Sequence, residues 1–170
     1  SEQYYTDGLA LAQRIGHRLV IARAIGGLGL VAWGRDQWEP AIQFFQQRLK
    51  LTQDIGHDNQ ALASLNFLCG IYADAGRFAD AVALIDKHPD MWRTAWTAQA
   101  QIGAGHYVEA MSYLPQETVS YLQIESPYNL ARYLIAWAML LLSDRELVIV
   151  AWPDGTYVPL DAETRSTQVV

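Results

Sequence analysis

A repeat of about 40 residues is the feature that most constrains how this chain can fold. The triplet Ile15-Gly16-His17 returns unchanged as Ile55-Gly56-His57. Six more pairs of identical residues keep the same separation: Gln3 and Gln43, Leu9 and Leu49, Leu11 and Leu51, Gln13 and Gln53, Leu28 and Leu68, and Ala41 and Ala81. A period of roughly 20 to 50 residues is typical of stacked helical arrays, in which no single unit can bury its own apolar face. The sequence therefore predicts an all-α solenoid of helix pairs.

The composition fits one folded domain, or one segment of a longer solenoid. The chain has 170 residues, of which 51% are hydrophobic, so it can form a sizeable core. Its formal net charge of −6 disfavours nucleic-acid binding, because proteins that bind phosphates in this way normally show a basic stripe. The first residues correspond to positions inside a repeat, so we expect further repeats upstream.

A cytoplasmic location is expected from the cysteine content and from the absence of targeting signals. Cys69 is the only cysteine, which rules out an internal disulfide and suits a reducing compartment. The N-terminal residues lack the basic and apolar stretches of a signal peptide. Residues 134–142 are strongly apolar, but a membrane span needs about 18 or more such residues, so a buried helix is expected there instead.

Apolar residues at helical spacing, interrupted by glycine and proline, predict where the elements lie. Helices are predicted over about 18–33, 37–54, 58–74, 78–87, 91–103 and 107–114, with a helical turn up to residue 123 and a C-terminal helix within 124–145. Asp36 and Glu39 have the spacing of a capping box at the start of the second of these helices.

The C-terminal part changes character. β-prone residues on both sides of Pro153-Asp154-Gly155 predict a β-hairpin over 146–160, and residues 161–170 are expected to be loose. Two strands alone are marginally stable in water. We therefore expect the hairpin either to cap the last helices or to add to a sheet of another chain or domain.

Residues at fixed offsets within the repeat resemble the tetratricopeptide family. That family has a Leu-Gly pair, an aromatic residue, then Gly, an aromatic residue and Ala. The copy that matches best has Leu68-Cys69, Tyr72, Gly76, Phe78 and Ala81, with Cys69 in place of Gly. The copy before it has Leu28-Gly29, Trp38, Ala41 and Phe45, with Asp36 where Gly is usual. The copy after it keeps Gly105, Tyr107 and Ala110, but has Thr97 and Ala98 for the Leu-Gly pair.

The resemblance covers residues 1–123, as a partial repeat over 1–17 and repeats over about 18–57, 58–90 and 91–123. Its interval is similar to that of the longer-spaced repeats in bacterial multidomain signalling regulators. The resemblance implies a right-handed superhelix whose inner groove binds peptides or partner domains. Small residues are expected where helix backbones pass close to each other: Gly29, Ala41, Cys69, Ala81, Ala98 and Ala110.

The resemblance also implies that the first helix of each pair lines the groove. The residues that would then point into it are Arg23, Gly27, Leu30, Trp33, Asn66, Phe67, Gly70, Trp92, Trp96 and Gln99. Aromatic anchors beside an arginine and an amide are the mixture found at binding hot spots. The alternative is that Trp33, Phe67 and Trp96 belong to the core between repeats.

Catalytic and metal sites are not indicated by the sequence. Cys69 lies at a small-residue packing position, so an inert buried thiol is expected. His17 and His57 occupy equivalent positions between helices, which suggests a role at a helix end rather than a shared metal. Asp86, His88 and Asp90 are close in sequence but lack a fourth ligand, so a solvated loop is expected.

The expected function is a non-catalytic module, without a cofactor, that binds a protein, a peptide or another domain of the same chain. It would form the sensor or interaction segment of a larger bacterial regulatory protein. The alternative is a sensor of a small molecule or a signalling peptide that controls an attached effector. Self-association also stays open, through an exposed apolar end at Tyr4, Tyr5 and Leu9 or through the hairpin.

Overall fold

Helices that pack against their neighbours in sequence make up most of the computed structural model, which describes residues 2–92, 94–110, 148–151 and 157–160. The helices are α1 (Glu2–Ile15), α2 (Arg18–Trp33), α3 (Trp38–Asp54), α4 (Asp58–Asp74), α5 (Phe78–Lys87) and α6 (Ala95–Gly103). Residues 107–110 are also helical. The chain divides into two units, residues 1–92 with α1 to α5 and residues 93–170 with α6. In the first unit α1 packs on α2, α2 on α3, α3 on α4 and α4 on α5.

The predicted helix positions are confirmed for α2 to α5. The sixth helix starts later than predicted, at Ala95 instead of residue 91. The reason is local, because the hydroxyl of Thr97 accepts a hydrogen bond from the backbone N–H of Thr94 at 2.8 Å and donates to the Thr94 carbonyl at 2.7 Å. These bonds fix the first turn of α6 at Thr94.

The predicted capping box at Asp36 and Glu39 is wrong. The N-cap residue of α3 is Gln37, and its side chain makes no capping hydrogen bond. Asp36 instead has a φ of 57°, in the left-handed region, whereas an N-cap residue normally has extended backbone angles. Glu39 uses its carboxylate elsewhere, because its Oε1 accepts a hydrogen bond from Nη1 of Arg77 at 2.7 Å.

The core of the first unit lies between α2, α3 and α4. One cluster of buried residues there consists of Ala32, Ala41, Ile42, Phe45, Leu68 and Ile71. The small residues predicted at close helix contacts are buried: Ala41, Cys69, Ala81, Ala98 and Ala110 are 0% exposed, and a Cβ atom added to Gly29 would lie 2.7 Å from the ring of Phe45. These positions are therefore buried as expected, and at Gly29 the structure also shows a contact too close for a larger residue.

Strands β1 (Val148–Ala151) and β2 (Tyr157–Leu160) lie within the predicted hairpin range and pair antiparallel, with Val148 opposite Leu160 and Ala151 opposite Tyr157. Whether they cap the helices stays a prediction. The helix predicted within 124–145, the turn up to residue 123 and the tail from residue 161 lie outside the described residues. Among the helices of the described ranges, none combines the length and hydrophobicity that crossing a membrane requires.

Candidate functional site

A cavity of about 170 Å³ in the first unit is lined by residues of four helices. Arg23 and Leu30 of α2 line it, together with side chains from each of the other three helices. These are Tyr5 of α1, Phe45 and Arg48 of α3, and Phe67 of α4. We call this space the Arg48 cavity. Its described lining contains two arginines, three aromatic rings and no carboxylate.

Two adjacent glycines of α2 make room for these side chains. A Cβ atom added to Gly26 would lie 2.8 Å from Cδ of Arg48, and one added to Gly27 would overlap the ring of Tyr5. Both contacts are closer than a Cβ atom and a non-bonded neighbour can approach, so any larger residue would displace the neighbouring side chain. Gly26 and Gly27 thus allow Arg48 and Tyr5 to lie directly against the backbone of α2.

Arg48 belongs to the buried stripe of α3. This stripe repeats at helical spacing through Ala41, Phe45, Arg48 and Thr52, and Arg48 is only 7% exposed. Its Nη2 donates a hydrogen bond to Oε1 of Gln60 at 2.5 Å. Its guanidinium carbon lies 5.8 Å from the ring centroids of both Phe45 and Phe67. Its Nε is buried and has no hydrogen-bond partner within the described part of the chain.

The charge of Arg48 is poorly compensated. Burial is the main cause that lowers the pKa of Arg48, and repulsion from the nearby charge of Arg23 lowers it further. An arginine nevertheless stays protonated in a protein. Removing an ion from water costs several kcal/mol. Two cation–π contacts of about 0.5–2 kcal/mol each and one hydrogen bond of about 1.5–3 kcal/mol act against that cost, but all three partners are neutral. Arg48 and Arg23 can therefore accept an anion in the cavity.

Four of the ten residues predicted to point into the groove meet at this cavity, namely Arg23, Gly27, Leu30 and Phe67. Gly70 is buried in α4 and does not line it. Trp33 lies beside them, with its ring edge-on to Phe67 at 6.3 Å between centroids. Its Nε1 donates a hydrogen bond to Oδ2 of Asp74 at 3.0 Å. Trp33 therefore also connects α2 to the end of α4.

The other predicted site residues lie elsewhere. Asn66 is 2% exposed, and its Nδ2 donates to the carbonyl of Leu62 in the same helix at 3.0 Å. Trp92 follows α5 and is 47% exposed. Trp96 and Gln99 are partly buried on α6, in the second unit. None of these four lines the Arg48 cavity.

Sequence reasoning missed the residues that give the cavity its chemistry, above all Arg48. A signal for Arg48 exists, because it follows Phe45 by three residues and therefore falls on the apolar side of α3. A charged residue inside an apolar stripe is unusual and can mark a site. Tyr5 was expected at an exposed end, together with Tyr4 and Leu9. Of these three, only Tyr4 is largely exposed, at 73%, whereas Tyr5 and Leu9 are partly buried.

Other candidate residues have structural surroundings. Burial raises the pKa of the Cys69 thiol to about 12, so almost no reactive thiolate forms at neutral pH. His17 and His57 are the N-cap residues of α2 and α4, which confirms their position at helix ends. Nδ1 of His17 accepts a hydrogen bond from the N–H of Val20 at 3.4 Å. Within the ranges that the structure describes, no three His, Cys, Asp or Glu residues are grouped closely enough to hold a metal ion.

Comparison with known proteins gives no family assignment. No protein-family model matches the chain, and no curated protein sequence matches it either. The function therefore has to be argued from the cavity and the repeat.

Proposed function

We propose that this chain is a non-catalytic module of tetratricopeptide type that binds a protein or peptide partner through the Arg48 cavity and the surface around it. One observation supports this most directly. Arg23 and Leu30 come from one repeat and Phe67 comes from the next, yet all three line the same cavity as the buried Arg48. A site shared between two repeats is where the groove of such an array would hold an extended ligand.

The local geometry of the repeats supports the tetratricopeptide part of the proposal. In the helix pairs α2–α3 and α4–α5, the left-handed residues between the two helices, Asp36 and Gly76, occupy equivalent positions of successive repeats. The linkers before α2 and α4 also match, with Gly16 and Gly56 both at a φ of 67°. On this proposal helices α1 to α5 are a segment of a right-handed solenoid in the cytoplasm.

The second candidate is a sensor of a small molecule, and the size of the cavity favours it. An apolar cavity of about 150 Å³ is known to hold a benzene molecule. The Arg48 cavity, at about 170 Å³, thus has room for a compact ligand or for one anchoring side chain of a peptide. Both candidates use the same site, so one experiment can address them together.

The test is selection of peptides from a random library on the full chain, followed by affinity measurement by fluorescence polarisation. Two charge reversals are compared, Arg23→Glu at the cavity and Lys50→Glu on the exposed side of α3. We expect selected peptides to bind Arg23→Glu about tenfold more weakly than wild type, and Lys50→Glu as tightly as wild type. Equal loss in both variants, or in neither, would exclude the cavity as the peptide site. A library without any binder would favour the small-molecule sensor.

A further inference from the structure

The Arg48 cavity combines a buried cation with an apolar lining, which limits the ligands that it can accept. The guanidinium of Arg48 has one neutral partner, Gln60, and its buried Nε has none in the described ranges. Arg23 adds a second positive charge from an exposed position. Phe45, Phe67 and Leu30 supply apolar surface. A complementary ligand must therefore carry both a negative charge and an apolar body.

We propose that the Arg48 cavity binds a carboxylate that is attached to an apolar group about the size of a benzene ring. The proposal deepens the proposed function and rests on it, because it names the chemical group by which a partner is recognised. Two adjacent N–H groups of a guanidinium fit the two oxygens of a carboxylate. The unpartnered Nε would then gain an acceptor, and the apolar group would contact the aromatic lining.

Charge and desolvation favour a carboxylate over a phosphate. A phosphate group carries more than one negative charge at neutral pH. Transfer of such a group into an apolar cavity loses more hydration than transfer of a singly charged carboxylate. Only one of the two arginines is buried, so a single negative charge is the better match. The volume of 170 Å³ also leaves space for an apolar group beside the carboxylate.

The same chemistry can come from two sources. One is the C-terminus of a peptide that ends in an apolar residue, and the other is a free aromatic or branched aliphatic acid. N-acetyl-phenylalanine represents the first source and benzoate the second. The corresponding neutral compounds, N-acetyl-phenylalanine amide and benzamide, have nearly the same shape without the charge.

The experiment is an NMR titration of the full chain with these four compounds and with phenylphosphonate. In wild type we expect each acid to bind at least about tenfold more tightly than its amide. Arg48→Met should remove this difference, and Arg23→Gln should reduce it several-fold. Lys50→Met, which removes an exposed cation outside the cavity, should retain it. Circular dichroism of each variant checks that it is folded. If Arg48→Met does not fold, Arg23→Gln still tests the proposal, because Arg23 is exposed and its replacement should not disturb folding.

Several outcomes would overturn the proposal. Equal affinity for acid and amide would mean that the cavity selects only apolar shape. Tighter binding of phenylphosphonate than of benzoate would assign the site to phosphate-like groups, and no binding of any acid would leave the cavity without an anion site. Failure of the proposed function looks different, because acids would then bind at Arg48 while the peptide library yields no binder. In the opposite case, library peptides would bind as tightly after amidation of their C-terminus, and as tightly to Arg48→Met as to wild type. This result would support a peptide-binding module and reject recognition of a carboxylate.

Discussion

Asp36 and Gly76 have the same left-handed backbone conformation, with φ angles of 57° and 72°, at equivalent positions of successive repeats. Each follows the first helix of a pair and allows the chain to turn into the second. Glycine adopts this conformation without strain, whereas a residue with a Cβ atom incurs a cost of roughly 1–2 kcal/mol. Aspartate is among the residues that tolerate it best.

The first prediction is that Asp36→Gly stabilises the protein. Relief of the left-handed strain exceeds the extra conformational freedom of glycine in the unfolded chain, so we expect a gain of about 0.5–1 kcal/mol in the free energy of unfolding. Gly76→Ala should lower it by about 1 kcal/mol for the same reason. Urea unfolding followed by circular dichroism measures both changes. A less stable Asp36→Gly variant would mean that the aspartate side chain compensates the strain.

The second prediction concerns two glycines inside helices. Gly29→Ala should destabilise by about 1–3 kcal/mol, because the new Cβ atom would lie 2.7 Å from the fully buried ring of Phe45, which would have to shift. Gly8→Ala is the matched control, since nothing lies within 4 Å of its Cβ position in α1. It should stabilise by up to about 1 kcal/mol through helix propensity. Similar effects of the two substitutions would argue against the close packing of α2 on α3.

The third prediction is an energetic coupling between Trp33 and Asp74. Nε1 of Trp33 donates to Oδ2 of Asp74 across 41 positions of sequence, at a partly buried site. A double-mutant cycle with Trp33→Phe and Asp74→Ala should give a coupling of about 1 kcal/mol in unfolding experiments. Trp38→Phe replaces Trp33→Phe in a control cycle with Asp74→Ala and should give a coupling near zero. Additive effects in the Trp33 cycle would show that the hydrogen bond does not contribute.

The fourth prediction is a loss of stability at alkaline pH that depends on Cys69. Burial raises the pKa of this thiol from 9.0 to about 12, so between these values the unfolded chain releases a proton that the folded chain keeps. Unfolding is therefore favoured as pH rises above about 9, and unaffected by this group below that value. The stability of wild type relative to Cys69→Ala should fall by up to about 1.4 kcal/mol per pH unit.

Urea unfolding of both proteins at several pH values between about 8 and 10.5 measures this difference. Tyrosines and lysines also titrate in this range, but both proteins contain them, so their contributions cancel in the comparison. A stability difference that stays constant over the range would contradict a buried, protonated thiol. Native Cys69 should also react slowly with a thiol reagent at pH 8 and rapidly in urea.

The fifth prediction separates the binding role of Arg48 from a role in folding. Replacement of a buried ion pair by apolar side chains is often neutral or stabilising, because the desolvation cost of the charges disappears. The same reason applies to Arg48, whose hydrogen-bond and ring partners are neutral. We therefore expect the free energy of unfolding of Arg48→Met to equal or exceed that of wild type in the absence of ligand. Ile42→Ala, a buried residue of the same helix, should cost about 2–5 kcal/mol and serves as the comparison. A comparable loss in Arg48→Met would identify Arg48 as a structural residue.

The fold was largely predictable where its signals are local. The helices α2 to α5 follow from apolar residues at helical spacing and from turn residues such as Gly56 and Gly76, which act within a few positions of themselves. The two errors are also local, because more than one local interpretation was available. Asp36 fits both a capping box and a left-handed turn, and the start of α6 depends on bonds between Thr94 and Thr97 that compete with an earlier start.

The sequence by itself determined the repeat, the positions of α2 to α5 and four residues of the candidate site: Arg23, Gly27, Leu30 and Phe67. Only the tertiary structure decided that Arg48 is buried beside them. Its burial depends on Gly26, 22 positions earlier, and on Phe67, 19 positions later. Helical periodicity reports which side of a helix a residue occupies, but the charge, volume and solvent access of a cavity arise only when several helices pack together.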